Sequence, residues 1–278
     1  MTETPTDVIS SDEDESQQSL SHRIAQKLKH IFLYPIQSLY KWFLWRKINQ
    51  TEKPKHVGII LDGNRRYARA QGLEIWAGHE LGAKKVEEVL AYCWELGIRT
   101  ITLYAFSIEN FERPKPEVDR IMKLAQQKFK ELSTHPLIFK YKVRVRAIGR
   151  KELLPIEVRE AIAEVEEKTK QFDDYHLNVA IAYSGRAEIV DAVRTLLQDK
   201  TRTEIDEATF EHYLYTAGQP DPDLIIRTSG EYRISGFLLW QAAYSELYFS
   251  EKYWPEMSKI DLWRAVHDYQ KRHRRFGR

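Results

Sequence analysis

A chain of 278 residues with 42% hydrophobic and 30% charged residues, 12 glycines and 10 prolines has a globular profile, which excludes collagen-like, coiled-coil and disulfide-scaffold classes. The single cysteine, Cys93, can form no intramolecular disulfide and no multi-cysteine zinc site; it reads as a buried helix residue in a reducing compartment. The net charge of +2 conceals an acidic block followed by a basic one.

Residues 1–19 carry six acids and no Lys or Arg, with too little to bury to offset the entropy of ordering, so a disordered tail is predicted. Residues 20–48 carry six Lys or Arg and no acid. Their apolar residues recur at helical spacing, through Ile24, Leu28, Ile31 and Phe32 and then Ile36, Leu39, Trp42 and Phe43, with Pro35 dividing the run. Trp42, Trp45 and the flanking cations fit a helix lying on an anionic membrane, and a helix docked on its own domain or on a partner subunit fits the same pattern. Lys41 and Pro35 interrupt the best candidate for a transmembrane helix, and the acidic start is unlike a secretory signal. The expectation is a cytoplasmic protein with peripheral contact at the inner face of the membrane through residues 20–48.

From residue 49 to 278 the pattern predicts one catalytic domain. Apolar runs at 56–61, 100–106, 143–148, 177–183, 223–228 and 246–249 read as strands. Amphipathic stretches near 79–96, 117–133, 155–171, 186–198, 206–215 and 258–273 read as helices. Such alternation predicts an α/β fold, a single domain whose mostly parallel central sheet is covered by helices. Ligands of such sheets gather beyond the carboxyl ends of the strands, so the residues after each apolar run carry the functional reading.

After the first strand stand Asp62, Gly63, Asn64, Arg65, Arg66 and Tyr67. A carboxylate, a glycine permitting close backbone approach and the amides of a following helix suit a metal-bound oxyanion; an Asp-Gly turn with solvated arginines is the plainer alternative. After the second strand come Ser107, Ile108, Glu109, Asn110, Phe111 and Arg113, and after the fifth Arg227, Ser229, Gly230, Arg233, Ile234 and Ser235. Guanidinium forks, hydroxyls and glycine-freed amides match a diphosphate. Glu246 stands alone in an apolar run, so it is either paired with an arginine or holding a cation. No Walker A loop, dinucleotide fingerprint, serine-hydrolase elbow or zinc-protease helix is present, and Mg2+ shared between a carboxylate and substrate phosphates fits better than zinc.

The series HVGIILDGNRRYA, Gly78-His79, TLYAFSIENFERP, DLIIRTSGEYRISGFLLWQAAYSELYF and the terminal RRFGR closely resembles the cis-prenyltransferase family, the undecaprenyl and dehydrodolichyl diphosphate synthases, from about His56 to the last residue. The resemblance implies a homodimeric, Mg2+-dependent enzyme. It would elongate an allylic diphosphate with isopentenyl diphosphate in cis geometry, giving a long-chain polyprenyl diphosphate of the kind that precedes glycosyl carrier lipids such as dolichol. It assigns Asp62 and Glu246 to the metal, and Gly63, Asn64, Arg65, Arg66, Tyr67 and His79 to the allylic site. Ser107, Ile108, Glu109, Asn110, Phe111 and Arg113 would organise the reacting ends, with Asp62 and Asn110 catalytic. Arg227, Arg233, Ile234 and Ser235 would hold isopentenyl diphosphate, which Arg275 and Gly277 of a partner subunit would reach. Asn110, a neutral amide with no useful basicity near pH 7, would orient the proton acceptor.

A long product needs an apolar tunnel, for whose wall Leu103, Ala105, Phe106, Ile121, Leu124 and Phe129 are candidates. Bacterial members usually place an arginine four residues before the histidine of the GH pair, where this chain has Ile75. GLEIWAGH resembles archaeal members, which are associated with a geranylgeranyl diphosphate starter. The alternative within the family is a non-catalytic subunit of a heteromeric enzyme. Nucleic-acid binding by the basic ends lacks a recognised module and is not expected.

Overall fold

The computed structural model describes residues 38–199 and 204–272, and divides into two units, Met1–Gln50 and Thr51–Arg278. In the first unit residues 38–49 form a helix, α1, so part of the basic amphipathic segment is helical; the acidic tail and residues 20–37 lie outside the described residues. Along α1 the Arg46 guanidinium lies 5.5 Å from the Trp42 ring centroid and Lys47 Nζ 4.7 Å from that of Phe43, both i,i+4 pairs on the helix surface. Among the described residues no helix is long and apolar enough to cross a membrane.

The second unit is built on six strands, β1 (His56–Ile60), β2 (Thr100–Ser107), β3 (Val143–Ile148), β4 (Tyr175–Tyr183), β5 (Leu224–Arg227) and β6 (Glu246–Phe249). They pair in the order β3-β4-β2-β1-β5-β6, and every pairing is parallel. Parallel neighbours need crossovers, and helices stand in four of the five: α2 (Asn64–Ala70), α3 (Ile75–Glu95), α4 (Lys115–Leu132), α5 (Pro136–Lys140), α6 (Ile156–Thr169), α7 (Gly185–Gln198) and α8 (Glu207–Glu211); β5 reaches β6 through a 3-10 turn, and α9 (Lys259–Lys271) follows the last strand. All five residues of β1 are buried, because a central parallel strand is covered on both faces.

Two elements differ from the sequence reading. The helix predicted over 206–215 ends at Glu211, beyond which the amides of Tyr213, Leu214 and Ala217 each bond three residues back, as in turns. The short helix α5 was not predicted; Pro136 begins it and the His135 side chain caps it by accepting from the Leu137 amide at 3.3 Å. Cys93 is buried in α3 as read, and burial pushes its thiol up to about 12.

The chain leaves β1 for β2 on one side and returns to β5 on the other. The carboxyl end of β1 is therefore a point where strand order reverses, the place where parallel sheets leave a crevice. The loop from β1 into α2 makes that crevice tight: Gly63 has φ +103°, and a Cβ there would lie 2.8 Å from both Ser229 Cβ and Tyr253 Cδ1. Only glycine fits. A Cβ on Gly78 would stand 2.2 Å from the Asn64 carbonyl oxygen, so α3 crosses α2 at backbone contact and brings His79 beside the same crevice.

Candidate active site

Three loops, after β1, β2 and β5, converge on one open cleft. Its walls include Asp62, Gly63, Asn64, Arg65, Arg66 and His79 from the first region, Ser107, Glu109, Asn110 and Arg113 from the second, and Arg227, Arg233 and Ser235 from the third. These are most of the residues expected to bind substrate. Tyr67, Ile108, Phe111 and Ile234 do not line it; Phe111 packs edge-on against Phe106 at 4.9 Å, and Ile234 packs against the core beneath. Arg275 and Gly277 lie outside the described residues.

The buried Arg227 organises the cleft. Its Nη2 donates to Asp62 Oδ2 at 2.8 Å, while Nη1 donates to the Arg233 carbonyl at 2.5 Å and to Ser235 Oγ at 2.8 Å. Arg66 lies 3.5 Å from the same Asp62 oxygen, donates to Glu231 Oε1 at 2.9 Å and donates to Ser229 Oγ. Burial pushes the Asp62 carboxyl up, but the hydrogen bond and charge of Arg227, with Arg66, outweigh it and hold the group below its ordinary range. Asp62 is thus an anion facing the cleft.

A second cluster stands where α3 meets α4. Glu117 Oε1 has Arg113 Nη1 at 3.3 Å, His79 Nε2 at 3.4 Å and Arg65 Nε at 3.5 Å. Burial, then Arg113, lowers the His79 pKa against the pull of Glu117, so the imidazole is neutral at pH 7. Asn110 Oδ1 accepts from the Ser107 amide at 3.2 Å, which fixes the turn at 108–112.

Sequence reasoning missed Glu117 and Glu231. Glu117 is four residues after Arg113, an i,i+4 spacing that could have marked it as that arginine's partner. Glu231 was read within its motif but given no role; it also accepts from Arg233 Nη1 at 2.5 Å, holding two arginines at the rim.

Glu246 stands apart from this cleft within the single chain. It is the first residue of β6, in register with Leu224, whereas the cleft lies beyond Arg227 and Phe249, about 10 Å farther along the strand. Its carboxylate accepts from Arg272 Nη1 at 2.9 Å. Asp62 and Glu246 therefore form no joint metal site within one chain. Asp62 alone fits a Mg2+ shared with phosphate oxygens, an ion bound by one or two carboxylates plus substrate. Among the described residues no three His, Cys, Asp or Glu converge as an all-protein cage.

The cleft opens into an apolar tunnel between the sheet, α3 and α4, and Leu61, Asn64, His79, Ala105 and Ile121 line both. Five of the six predicted wall residues line it; Phe106 faces the cleft instead. A charged cleft for phosphates leading into a channel for hydrocarbon defines a site for a phosphorylated lipid.

Comparison with known proteins places this architecture. A family model described as "Putative undecaprenyl diphosphate synthase" matches residues 60–277, and the chain belongs to that family of prenyltransferases. Two of its relatives are archaeal proteins named tritrans,polycis-undecaprenyl-diphosphate synthase (geranylgeranyl-diphosphate specific). That of Pyrococcus horikoshii is 53% identical over 262 residues, 92% of this chain and 99% of the relative. That of Methanocaldococcus jannaschii is 51% identical over 250 residues, 87% of this chain and 89% of the relative. The crystal structure of lavandulyl diphosphate synthase from Lavandula x intermedia, in complex with dimethylallyl diphosphate, superposes with a TM-score of 0.76 at 36% identity, over 81% of this chain and 99% of that one.

Proposed function

We propose that this chain condenses isopentenyl diphosphate onto an allylic diphosphate, with geranylgeranyl diphosphate as starter, to build a cis-polyprenyl diphosphate. The observation that carries the reading is the continuity of the Asp62–Arg227 cleft with the apolar tunnel, which accommodates a diphosphate head and a growing hydrocarbon at once. The archaeal relatives' names support the starter.

The reaction breaks the allylic C–O bond, forms a C–C bond from the isopentenyl alkene and releases a proton. Its barrier is set by charge on the departing diphosphate. Mg2+ bound at Asp62 would neutralise part of that charge. Arg66 and Arg233 face the same space, held by Glu231, and Arg227 is locked by Asp62, the Arg233 carbonyl and Ser235, so the donors need little reorganisation as charge develops. Asp62, held below the ordinary carboxyl range by arginine, is a poor base; the proton goes to an oxygen of the departing diphosphate, with Asn110 keeping the loop in place.

The intact set of Asp62, Arg227, Arg233 and Ser235 supports a catalytic rather than an accessory subunit. We also infer a homodimer, with the basic segment at 20–48 giving peripheral contact with the inner membrane face. Chromatography of products made from geranylgeranyl and farnesyl diphosphate with labelled isopentenyl diphosphate tests the reading. Preferential use of the geranylgeranyl starter is expected, and a clear preference for farnesyl would reject the starter assignment.

A further inference from the structure

Arg233 and Ser235 reach the cleft from a turn whose backbone is strained. Ser235, Gly236 and Leu238 have φ of +48°, +75° and +47°, and two of the three carry a side chain. Non-glycine residues stay in the left-handed region only where their surroundings leave them no other choice. Those surroundings are the end of β4 and the start of α7. The Gly185 amide donates to the Gly236 carbonyl at 2.9 Å, and a Cβ on Gly185 would stand 2.4 Å from that oxygen. Two residues earlier, the Tyr183 hydroxyl accepts from the Leu238 amide at 3.2 Å.

Tyr183 is fully buried and is not among the walls of the cleft. Its hydroxyl presents a lone pair to Leu238 because its own proton is donated to Glu188 Oε2 at 2.5 Å. Glu188 is 1% exposed, and its other oxygen accepts from the Tyr215 amide at 2.8 Å and from Gln241 Nε2 at 3.0 Å, so the carboxyl group is held in one orientation. Order passes from Glu188 through Tyr183 to Leu238. Three residues back along the turn stands Ser235, whose Oγ accepts from Arg227 Nη1 at 2.8 Å. Packing alone asks only for an aromatic ring at position 183, which stands edge-on to Tyr104 and Phe237; the buried hydroxyl and its carboxylate are left to be explained by the turn they hold.

We propose that Tyr183, outside the cleft, is a positioning residue for isopentenyl diphosphate: through the Leu238 amide its hydroxyl sets the turn that aims Arg233 and Ser235 at that substrate. The inference rests on the elongation reading above, in which those two side chains hold isopentenyl diphosphate. Its effect is confined to one of the two substrates, which a general loosening of the core would not give.

The test is steady-state kinetics of the full chain with geranylgeranyl diphosphate, isopentenyl diphosphate and Mg2+, each diphosphate varied in turn, beside thermal melts. Tyr183→Phe keeps the ring and removes the hydroxyl. It is expected to raise KM for isopentenyl diphosphate about 5–10-fold, while kcat and KM for geranylgeranyl diphosphate stay within about two-fold. In a Ser235→Ala background the same substitution is expected to add less than its effect alone, because both act on one turn. Glu188→Gln, which removes the carboxylate that fixes the hydroxyl, is expected to move the same KM in the same direction and serves if Tyr183→Phe does not fold. Wild-type KM for isopentenyl diphosphate in the folded variants, an equal rise for both substrates, or full additivity with Ser235→Ala would overturn the proposal while leaving the elongation reading intact. A wild-type chain that incorporates no isopentenyl diphosphate would overturn both.

Discussion

Arg227 Nη2 and Asp62 Oδ2 meet at 2.8 Å across the carboxyl ends of two adjacent strands, β5 and β1. The contact makes each residue a condition of the other: the arginine keeps the carboxylate ionised, and the carboxylate aims the arginine. Arg227→Lys keeps the charge but cannot reproduce a fork that reaches Asp62, Ser235 and the Arg233 carbonyl together. Its kcat/KM for isopentenyl diphosphate should fall about 10²–10³-fold. Steady-state kinetics within a few-fold of wild type would show that the fork is not used.

Gly63→Ala combines a φ of +103° with a methyl 2.8 Å from Ser229 and Tyr253. The strain costs about 1–3 kcal/mol and shifts the strand-to-helix turn that carries Asp62. Thermal melts should show a Tm lower by several degrees, and turnover should fall with it. An unchanged Tm would mean that the loop relaxes freely.

His56 predicts a pH dependence. Its Nδ1 donates to the Pro220 carbonyl at 2.7 Å, so Nε2 accepts from Thr102 Oγ1 at 2.8 Å and the ring is neutral. Burial lowers its pKa to about 4, against the smaller upward pull of the Pro220 bond. The unfolded chain protonates near 6.5 while the native chain does not, so the stability this group contributes is complete above 6.5. It is lost as pH falls from 6.5 towards 4, by about 3 kcal/mol in all. Urea titrations of wild type and His56→Gln between pH 7 and 4.5 should show the shallower slope in the variant. Parallel slopes would remove His56 from the account.

The Cys93 thiol, buried and pushed up to about 12, is predicted to be inert in the native state. Ellman's reagent should react fully only in denaturant. Rapid labelling of the folded chain would contradict the burial.

The strands were legible because a buried parallel sheet writes continuous apolar runs, as in β1 and the start of β5. The cleft was legible because its residues follow those runs directly. Glu117 was not, since a glutamate in the first turn of an amphipathic helix reads as solvated until α3 is packed beside it and His79 and Arg65 turn inward. The place of Glu246 was illegible for the opposite reason. It lies in an apolar run, but its place at the start of β6 rather than the end is a matter of register, which only the pairing with β5 fixes.

The central claim is that the Asp62 carboxylate at the end of β1 carries the diphosphate chemistry. Incorporation of labelled isopentenyl diphosphate, with geranylgeranyl diphosphate and Mg2+, should be measured for purified wild type and for Asp62→Asn, with circular dichroism confirming that both fold. The account predicts polyprenyl product from the wild type and turnover lower by at least about 10²–10³-fold in the variant. Near-native turnover by a folded Asp62→Asn chain would contradict it.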